Sequence, residues 1–416
     1  MNRSTFRFSA LLLVVLAVGM LSPRLTRAQV SQVLSLDSAV ARAERQHPRL
    51  RQAARQLDEQ RALKRGSFSL TNPDLLMEAP TGNFYTFGAV QTIQSPTVYR
   101  RQAKQAQAGI ELASRNQLVQ VATVRRDVRR AYVNLQYAEA LVRQLTQQDS
   151  LYQRLYTAVG RLHAAGEIDL LQKISTEAEA KQVANQLAQA RTDLQAAQQQ
   201  LGLLIGQPGA QDLATSSDLR QAGQQLATQG TALLAELPTA DSSAVAASPT
   251  LGYYQQNVRL SQSGISLVRA QRTPALTLGY MNQGERNSPY GYRFQAGVSV
   301  PLWFWTYRSQ LQAATARSQA ASAELDVQRL ELSTQYRQAL ADVRKFNSSL
   351  GYYQQTGLPQ ARTIISASQR LFQAGEVSYL VLFQSLRQAF DIQFTYLTTL
   401  RDYGQAMVEL NYLRGQ

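Results

Sequence analysis

Apolar residues recur along this chain in two periods, and the two alternate in a fixed order. Val121, Val124, Val128, Ala131, Leu135, Ala138, Val142 and Leu145 step by threes and fours, and so do Ala389, Ile392, Tyr396, Thr399, Tyr403, Ala406, Leu410 and Leu413. That spacing predicts long helices with a coiled-coil seam. Residues 97–162 hold no proline and only Gly109 and Gly160, and as one helix they would span about 100 Å, too long for a compact globule. In 291–300 the period is two: Tyr292, Phe294, Ala296, Val298 and Val300 share one face, and Gly291, Arg293, Gln295, Gly297 and Ser299 the other. This is the length and alternation of a strand in an outer-membrane barrel. Leu276, Leu278 and Tyr280 alternate likewise, whereas a first hairpin through Tyr85, Phe87, Ala89 and Ile93 is less regular. Strands are predicted at 74–79, 84–93, 275–281 and 291–300.

The same order of elements occurs twice. Arg161-Leu162-His163-Ala164-Ala165-Gly166-Glu167 matches Arg370-Leu371-Phe372-Gln373-Ala374-Gly375-Glu376 without a gap, and the match continues beyond. Asn72-Pro73-Asp74-Leu75 corresponds to Thr273-Pro274-Ala275-Leu276, and His47-Pro48 to Ser248-Pro249. The reading is a tandem duplication, 29–206 and 248–416, each half a short helix, a β-hairpin and a long helical hairpin. The stretch 207–247, rich in Ala, Ser, Thr, Gly and Gln with no sustained period, reads as a connector on the side of the rods. Gly166 and Gly375 suit left-handed helix ends, and Asp169 and Ser378 suit the caps of the helices that follow. Four strands cannot close a barrel, so the chain is expected to complete one with other copies.

Composition narrows the setting. Arg3 and Arg7, the apolar run 10–21 and Thr26-Arg27-Ala28 read as a secretory signal occupying 1–28. After it, no window has the roughly 20 apolar residues of a membrane helix, so membrane contact falls to strands or surface elements. Cysteine is absent from the 416 residues, which removes disulfides and an acylated N-terminal Cys. The formal charge is +15, but its cations are scattered among glutamines without the aromatic-flanked patch of a nucleic-acid groove, and nucleic acid is not an expected partner.

No catalytic constellation emerges. His47 and His163 are the only histidines, aligned with Ser248 and Phe372 of the other half, and outside the signal the methionines are Met77, Met281 and Met407. That is a poor ligand inventory, and neither a metal site nor a cofactor is expected. His47 reads as a helix-end residue and His163 as a tip-surface residue. Asp37, Asp127, Asp149 and Glu177 fall on helical patterns where a solvated or ion-paired face is the ordinary role. Trp303 and Trp305, just after Pro301-Leu302 at a strand exit, suit an interfacial aromatic anchor.

Taken in order, the landmarks resemble those of the TolC-like outer-membrane factors, in particular the branch serving heavy-metal resistance-nodulation-division pumps. The marks are Ser35-Leu36-Asp37-Ser38-Ala39 with His47-Pro48, Pro73 and Pro274 opening the hairpins, Val300-Pro301-Leu302, both Ala-Gly-Glu tips, and the tail from Leu400-Arg401-Asp402-Tyr403 to Leu413. The resemblance implies a mainly α fold with a small β part: long antiparallel coiled-coil helices and four strands per chain. Three copies would share a twelve-stranded outer-membrane β-barrel continued by a periplasmic α-helical barrel. It implies a passive exit duct, not an enzyme, partnered by a periplasmic adaptor and an inner-membrane pump and set in outer-membrane lipid. Arg161, Leu162, Gly166, Glu167 and their counterparts Arg370, Leu371, Gly375, Glu376 become the adaptor-docking tips. Val381 and Gln384 occupy gate positions where well-known members of the family carry aspartates. A type I protein-secretion duct shares this fold and is the alternative; an exported coiled-coil structural protein would leave the duplicated strands unexplained.

Overall fold

The computed structural model describes residues 32–78, 86–209, 213–236, 245–283 and 291–416. The expected signal peptide and the hairpin turns around 80–85 and 284–290 lie outside the described residues, as does part of the connector.

The first long helical pattern is one helix. Two shorter helices, α1 (Leu36–Gln46) and α2 (Pro48–Arg65), lead into strand β2 (Asp74–Glu78), and β3 (Thr86–Ile93) returns into α3, Pro96–Ala164. Its 69 residues make a rod of about 100 Å, opened by Pro96 in the first turn, where the missing N–H costs nothing. Of the seam read from the sequence, Val124, Val128, Ala131, Leu135, Ala138 and Leu145 are buried. Helix α4 (Leu170–Leu204) runs back along α3 and buries Val183, Leu187 and Ala190.

A belt of short elements wraps the middle of the rods. Strand β1 (Gln32–Leu34) pairs in parallel with β4 (Leu213–Thr215), and the Tyr132 hydroxyl of α3 donates to Leu34 O at 3.0 Å. Here the structure differs from the sequence reading of 207–247, because 219–236 is an 18-residue helix, α5 (Leu219–Glu236). Its contact stripe carries Gly223 and Gly230 in place of apolar side chains, so no period was visible. A Cβ at Gly223 would lie 2.2 Å from Leu400 Cδ2, and one at Gly230 1.7 Å from the Tyr403 hydroxyl. Backbone lies where side chains ordinarily interdigitate.

The second half runs through α6 (Pro249–Ala270), β5 (Ala275–Gln283), β6 (Gly291–Ser299), α7 (Phe304–Tyr352), α8 (Leu358–Gln373) and α9 (Tyr379–Leu413). Where α3 is unbroken, the descending rod of this half contains a π-turn at Tyr353–Gly357. Pro359 explains it: the ring has no N–H to donate and crowds the carbonyl four residues back, and Leu358 N–H instead reaches Tyr353 O, five residues back. The α7–α9 core packs Leu340, Val343, Leu350, Leu397, Leu400 and Tyr403 against Leu219 of α5.

The four long strands form one antiparallel sheet in the order β2-β3-β5-β6. Pairings such as Met77↔Phe87, Ala89↔Tyr280, Ile93↔Leu276 and Tyr280↔Phe294 bring one apolar face into register across the sheet. Leu75, Met77, Phe87, Leu276, Leu278, Tyr280, Phe294 and Val298 lie on it, and within the chain all are exposed, Leu75 and Phe294 to 81% and 80%. The other face carries Asp74, Glu78, Thr92, Thr277, Arg293, Gln295 and Ser299. The outer edges of β2 and β6 have no partner strand among the described residues. No described helix is long and apolar enough to cross a membrane.

Candidate functional site

The two tips at the far end of the rods are built by the same hydrogen bonds. At the first, Ala165 N–H donates to Arg161 O, Gly166 N–H to His163 O and Glu167 N–H to Leu162 O, each at 3.0 Å. At the second, Ala374, Gly375 and Glu376 donate to Arg370, Phe372 and Leu371 at 3.0, 3.1 and 2.9 Å. This is the Schellman closure, with the glycines left-handed at φ +77° and +73°. A Cβ at either would meet nothing within 4 Å, so backbone conformation and not crowding requires glycine. The next helix starts alike in both halves: Asp169 Oδ1 accepts from Gln172 N–H at 2.7 Å, and Ser378 Oγ from Val381 N–H at 3.5 Å.

Around this frame the sequence-selected side chains project outward. Arg161, Glu167, Arg370 and Glu376 are exposed, while Leu162 is half-buried and Leu371 39% exposed. Arg161 and Arg370 occupy the last turns of α3 and α8, near the negative helix ends, and Arg370 Nε also donates to Ser366 O at 3.3 Å. Leu170, Leu171 and Ile174 beside the first tip, and Leu380 and Val381 beside the second, leave apolar surface in water at 46–72% exposure. Val381 and Gln384 are both exposed on α9, on either side of the buried Leu382.

Behind the tips lies a contact that sequence reading missed. The Tyr379 hydroxyl, in the first turn of α9, is hydrogen-bonded to the Thr176 hydroxyl of α4, and Thr176 in turn donates to Gln172 O at 2.7 Å. Phe383 packs against Tyr379 with the rings tilted by 42° and their centroids 4.4 Å apart, and meets Tyr152 of α3 edge-on at 5.4 Å. Ala180, Val183, Leu382, Leu386 and Phe390 complete a cluster that ties the first helical hairpin to the second. Burial, reinforced by the charges of Glu179 and Asp391, pushes the Tyr152 phenol up to about 12. Burial also raises Tyr379, against the lowering effect of its bond to Thr176. An aromatic residue directly after a cap was the one signal available, and it did not name its partner.

The remaining candidates sit far from the tips. Trp303 and Trp305 are 64% and 65% exposed, their rings 5.2 Å apart at the foot of the sheet, so neither is a core residue. His47 is the N-cap of α2, its Nδ1 accepting from Arg49 N–H at 3.2 Å, and burial followed by the Arg49 charge lowers its pKa. Asp127 pairs with Arg126 at 3.1 Å and Glu177 with Lys181 at 2.6 Å, whereas Asp149 buries one oxygen without a hydrogen-bond partner. Among the described residues no three His, Asp or Glu side chains gather as a metal cage would need.

Residues 240–416 match the family model described as outer membrane efflux protein. Over 96% of this chain and 98% of the relative's length, the sequence is 26% identical to the cobalt-zinc-cadmium resistance protein CzcC of Cupriavidus metallidurans. The chain is thus similar in sequence to outer-membrane efflux proteins. The fold agrees with solved outer-membrane channels: the open-state MtrE channel of Neisseria gonorrhoeae superposes with a TM-score of 0.75 at 17% identity, covering 91% of this chain and 88% of that one. CusC superposes with a TM-score of 0.74, 17% identity and 91% coverage of both chains. The fold of this chain is that of these outer-membrane channels.

Proposed function

We propose that three copies of this chain form the exit duct of a tripartite efflux system, receiving substrate from an inner-membrane pump through a periplasmic adaptor. The observation that carries the reading is the sheet: four strands with two edges unpaired among the described residues and one apolar face. Unpaired edges are not tolerated in hydrocarbon, so lipid insertion requires closure with further copies, and three would give twelve strands. Moving a large apolar side chain from water into lipid is worth about 1.5–3 kcal/mol, which makes that face a membrane face. Trp303 and Trp305 would then mark the periplasmic boundary of the bilayer.

In this reading the chain is a duplicated unit, 29–206 and 248–416 joined by 207–247, preceded by a leader that directs export. The two tips act as near-equivalent docking sites, six per trimer, with Arg161, Leu162, Gly166 and Glu167 and their counterparts Arg370, Leu371, Gly375 and Glu376 meeting the adaptor. The Cupriavidus metallidurans relative is named for cobalt, zinc and cadmium resistance, and transition-metal ions are the substrate class we assign to this duct, with a resistance-nodulation-division pump as its energy source.

The test is resistance in a strain lacking the native channel. Complementation should restore growth on zinc, cobalt or cadmium, and replacing Gly166 and Gly375 together with Val should abolish it while native mass measurement still finds a trimer. Unchanged resistance in that double variant would remove the tips from docking. Restored secretion of a protein substrate without metal tolerance would favour the type I secretion duct instead.

A further inference from the structure

The four segments that join the long helices to the strands carry only one sign of charge. Lys64 and Arg65 end α2, Arg100, Arg101 and Lys104 lie in the first turns of α3, Arg269 and Arg272 flank the end of α6, and Arg308 follows the start of α7. Residues 62–73, 94–110, 262–274 and 300–323 contain no Asp or Glu at all. Every one of these cations is exposed, and none forms an ion pair among the described residues. Further along the same helices the signs mix again: Arg125 pairs with Glu44, Arg130 with Glu409 and Arg143 with Asp218. Ordinary solvated helix faces do not account for so abrupt a change.

The cations also have a place to hold a ligand. Thr97, Arg100, Arg101 and Lys104 of α3 face Ser266 and Arg269 of α6 across an open groove of about 520 Å³. Both walls belong to one chain, so the groove needs no second copy to form. Lys104 lies three heptads above Arg125, on the side of α3 where Arg125 holds α1 of the belt, so in the proposed trimer the groove would open outward, where the belt lies. Directly above it, beyond Pro96, lies β3 with its apolar face, and the exposed Trp303, Phe304 and Trp305 follow the end of β6 in the same sheet.

We propose that this basic collar binds the phosphate groups of anionic phospholipids in the periplasmic leaflet of the outer membrane, with one headgroup seated in each α3–α6 groove. The proposal rests on the barrel reading above, which sets the depth of the bilayer. Apolar strands, then aromatic rings, then unpaired cations within two to three helical turns is the order in which a leaflet presents acyl chains, interface and phosphate. Arginine is suited to the task because its planar fork takes two phosphate oxygens at once. The collar would hold the channel at a fixed height, so that its tips stay at a constant distance from the inner membrane.

The test uses the full mature chain purified in neutral detergent and then inserted into vesicles. Native mass measurement should find phosphatidylglycerol retained at least about tenfold more than phosphatidylcholine, since each surface cation contributes about fivefold, and 0.5 M salt should reduce the difference. Replacing Arg100, Arg101, Lys104 and Arg269 with Gln should remove the preference, with trimer content and insertion into neutral vesicles unchanged. Arg115→Gln with Arg259→Gln, cations farther from the sheet, should leave it intact. An undiminished preference in the fourfold variant overturns the proposal, as does equal displacement by millimolar inorganic phosphate, which would make the groove a site for the free ion. Failure to insert even into neutral vesicles overturns the barrel reading and this proposal with it; insertion without any headgroup preference overturns this proposal alone.

Discussion

Glycine has opposite causes at the tips and in the belt of this molecule. Gly166 and Gly375 stand in open space and are fixed by left-handed backbone; Gly223 and Gly230 sit in a regular helix and are fixed by what touches them. The second pair gives the sharper prediction. Gly230→Ala places a methyl group against the Tyr403 hydroxyl, and relieving that overlap should cost about 1–3 kcal/mol. Amide hydrogen exchange should rise across 219–236 and stay unchanged at the tips; an unaltered profile would mean that α5 does not depend on that contact. His47 is a second residue with one job. As a neutral acceptor it caps α2, and its folded pKa lies below the ordinary 6.5, so its contribution is present above that value and is lost as pH falls through the lowered one. His47→Ala should cost about 1 kcal/mol at pH 7, and His47→Asn, which keeps an acceptor, much less, as read by thermal midpoints. Equal midpoints for the two variants would rule out the capping role.

Between elements, the contact that matters most for the tips joins the hairpins through Tyr379, Thr176, Tyr152 and Phe383. Its stability is insensitive to pH in the neutral range. Because burial raises the Tyr152 phenol from 10.0 to about 12, the contribution is complete below pH 10 and is lost as pH climbs through 12. Absorbance titration at 295 nm should show a late-ionising tyrosine that disappears in Tyr152→Phe, and a curve unchanged by that substitution would refute the burial. What the sequence disclosed of these elements follows from what carries periodicity. The helices around Val124–Leu145 and the strand from Gly291 announced themselves because one side chain in two or in three to four is apolar. Helix α5 did not, because glycine fills its contact stripe, and the Tyr379–Thr176 bond did not, because two hydroxyl residues far apart in sequence carry no mark of each other. The π-turn was foreshadowed by Pro359 alone, and a proline predicts an interruption without giving its form.

For the whole molecule, closure and selectivity are the open quantities. In the duct we propose, Val381 and Gln384, both exposed, occupy the gate, where a ring of carboxylates would bind cations. Conductance in planar bilayers should accordingly show little block by multivalent cations from the periplasmic side, and Val381→Asp with Gln384→Asp should introduce it. Strong block of the unmodified channel would refute this. The duct we propose would also bear load, its tips pressed by the adaptor and its sheet fixed in a bilayer. Within one chain, α3 is a continuous strut from the sheet to the first tip, and its counterpart is jointed at Tyr353–Gly357, where the wider turn has fewer bonds aligned with the axis. The same push is thus carried as compression on one side and as bending on the other. In that duct, equal forces at the two tips would produce unequal displacements, the jointed second hairpin tilting more than the first.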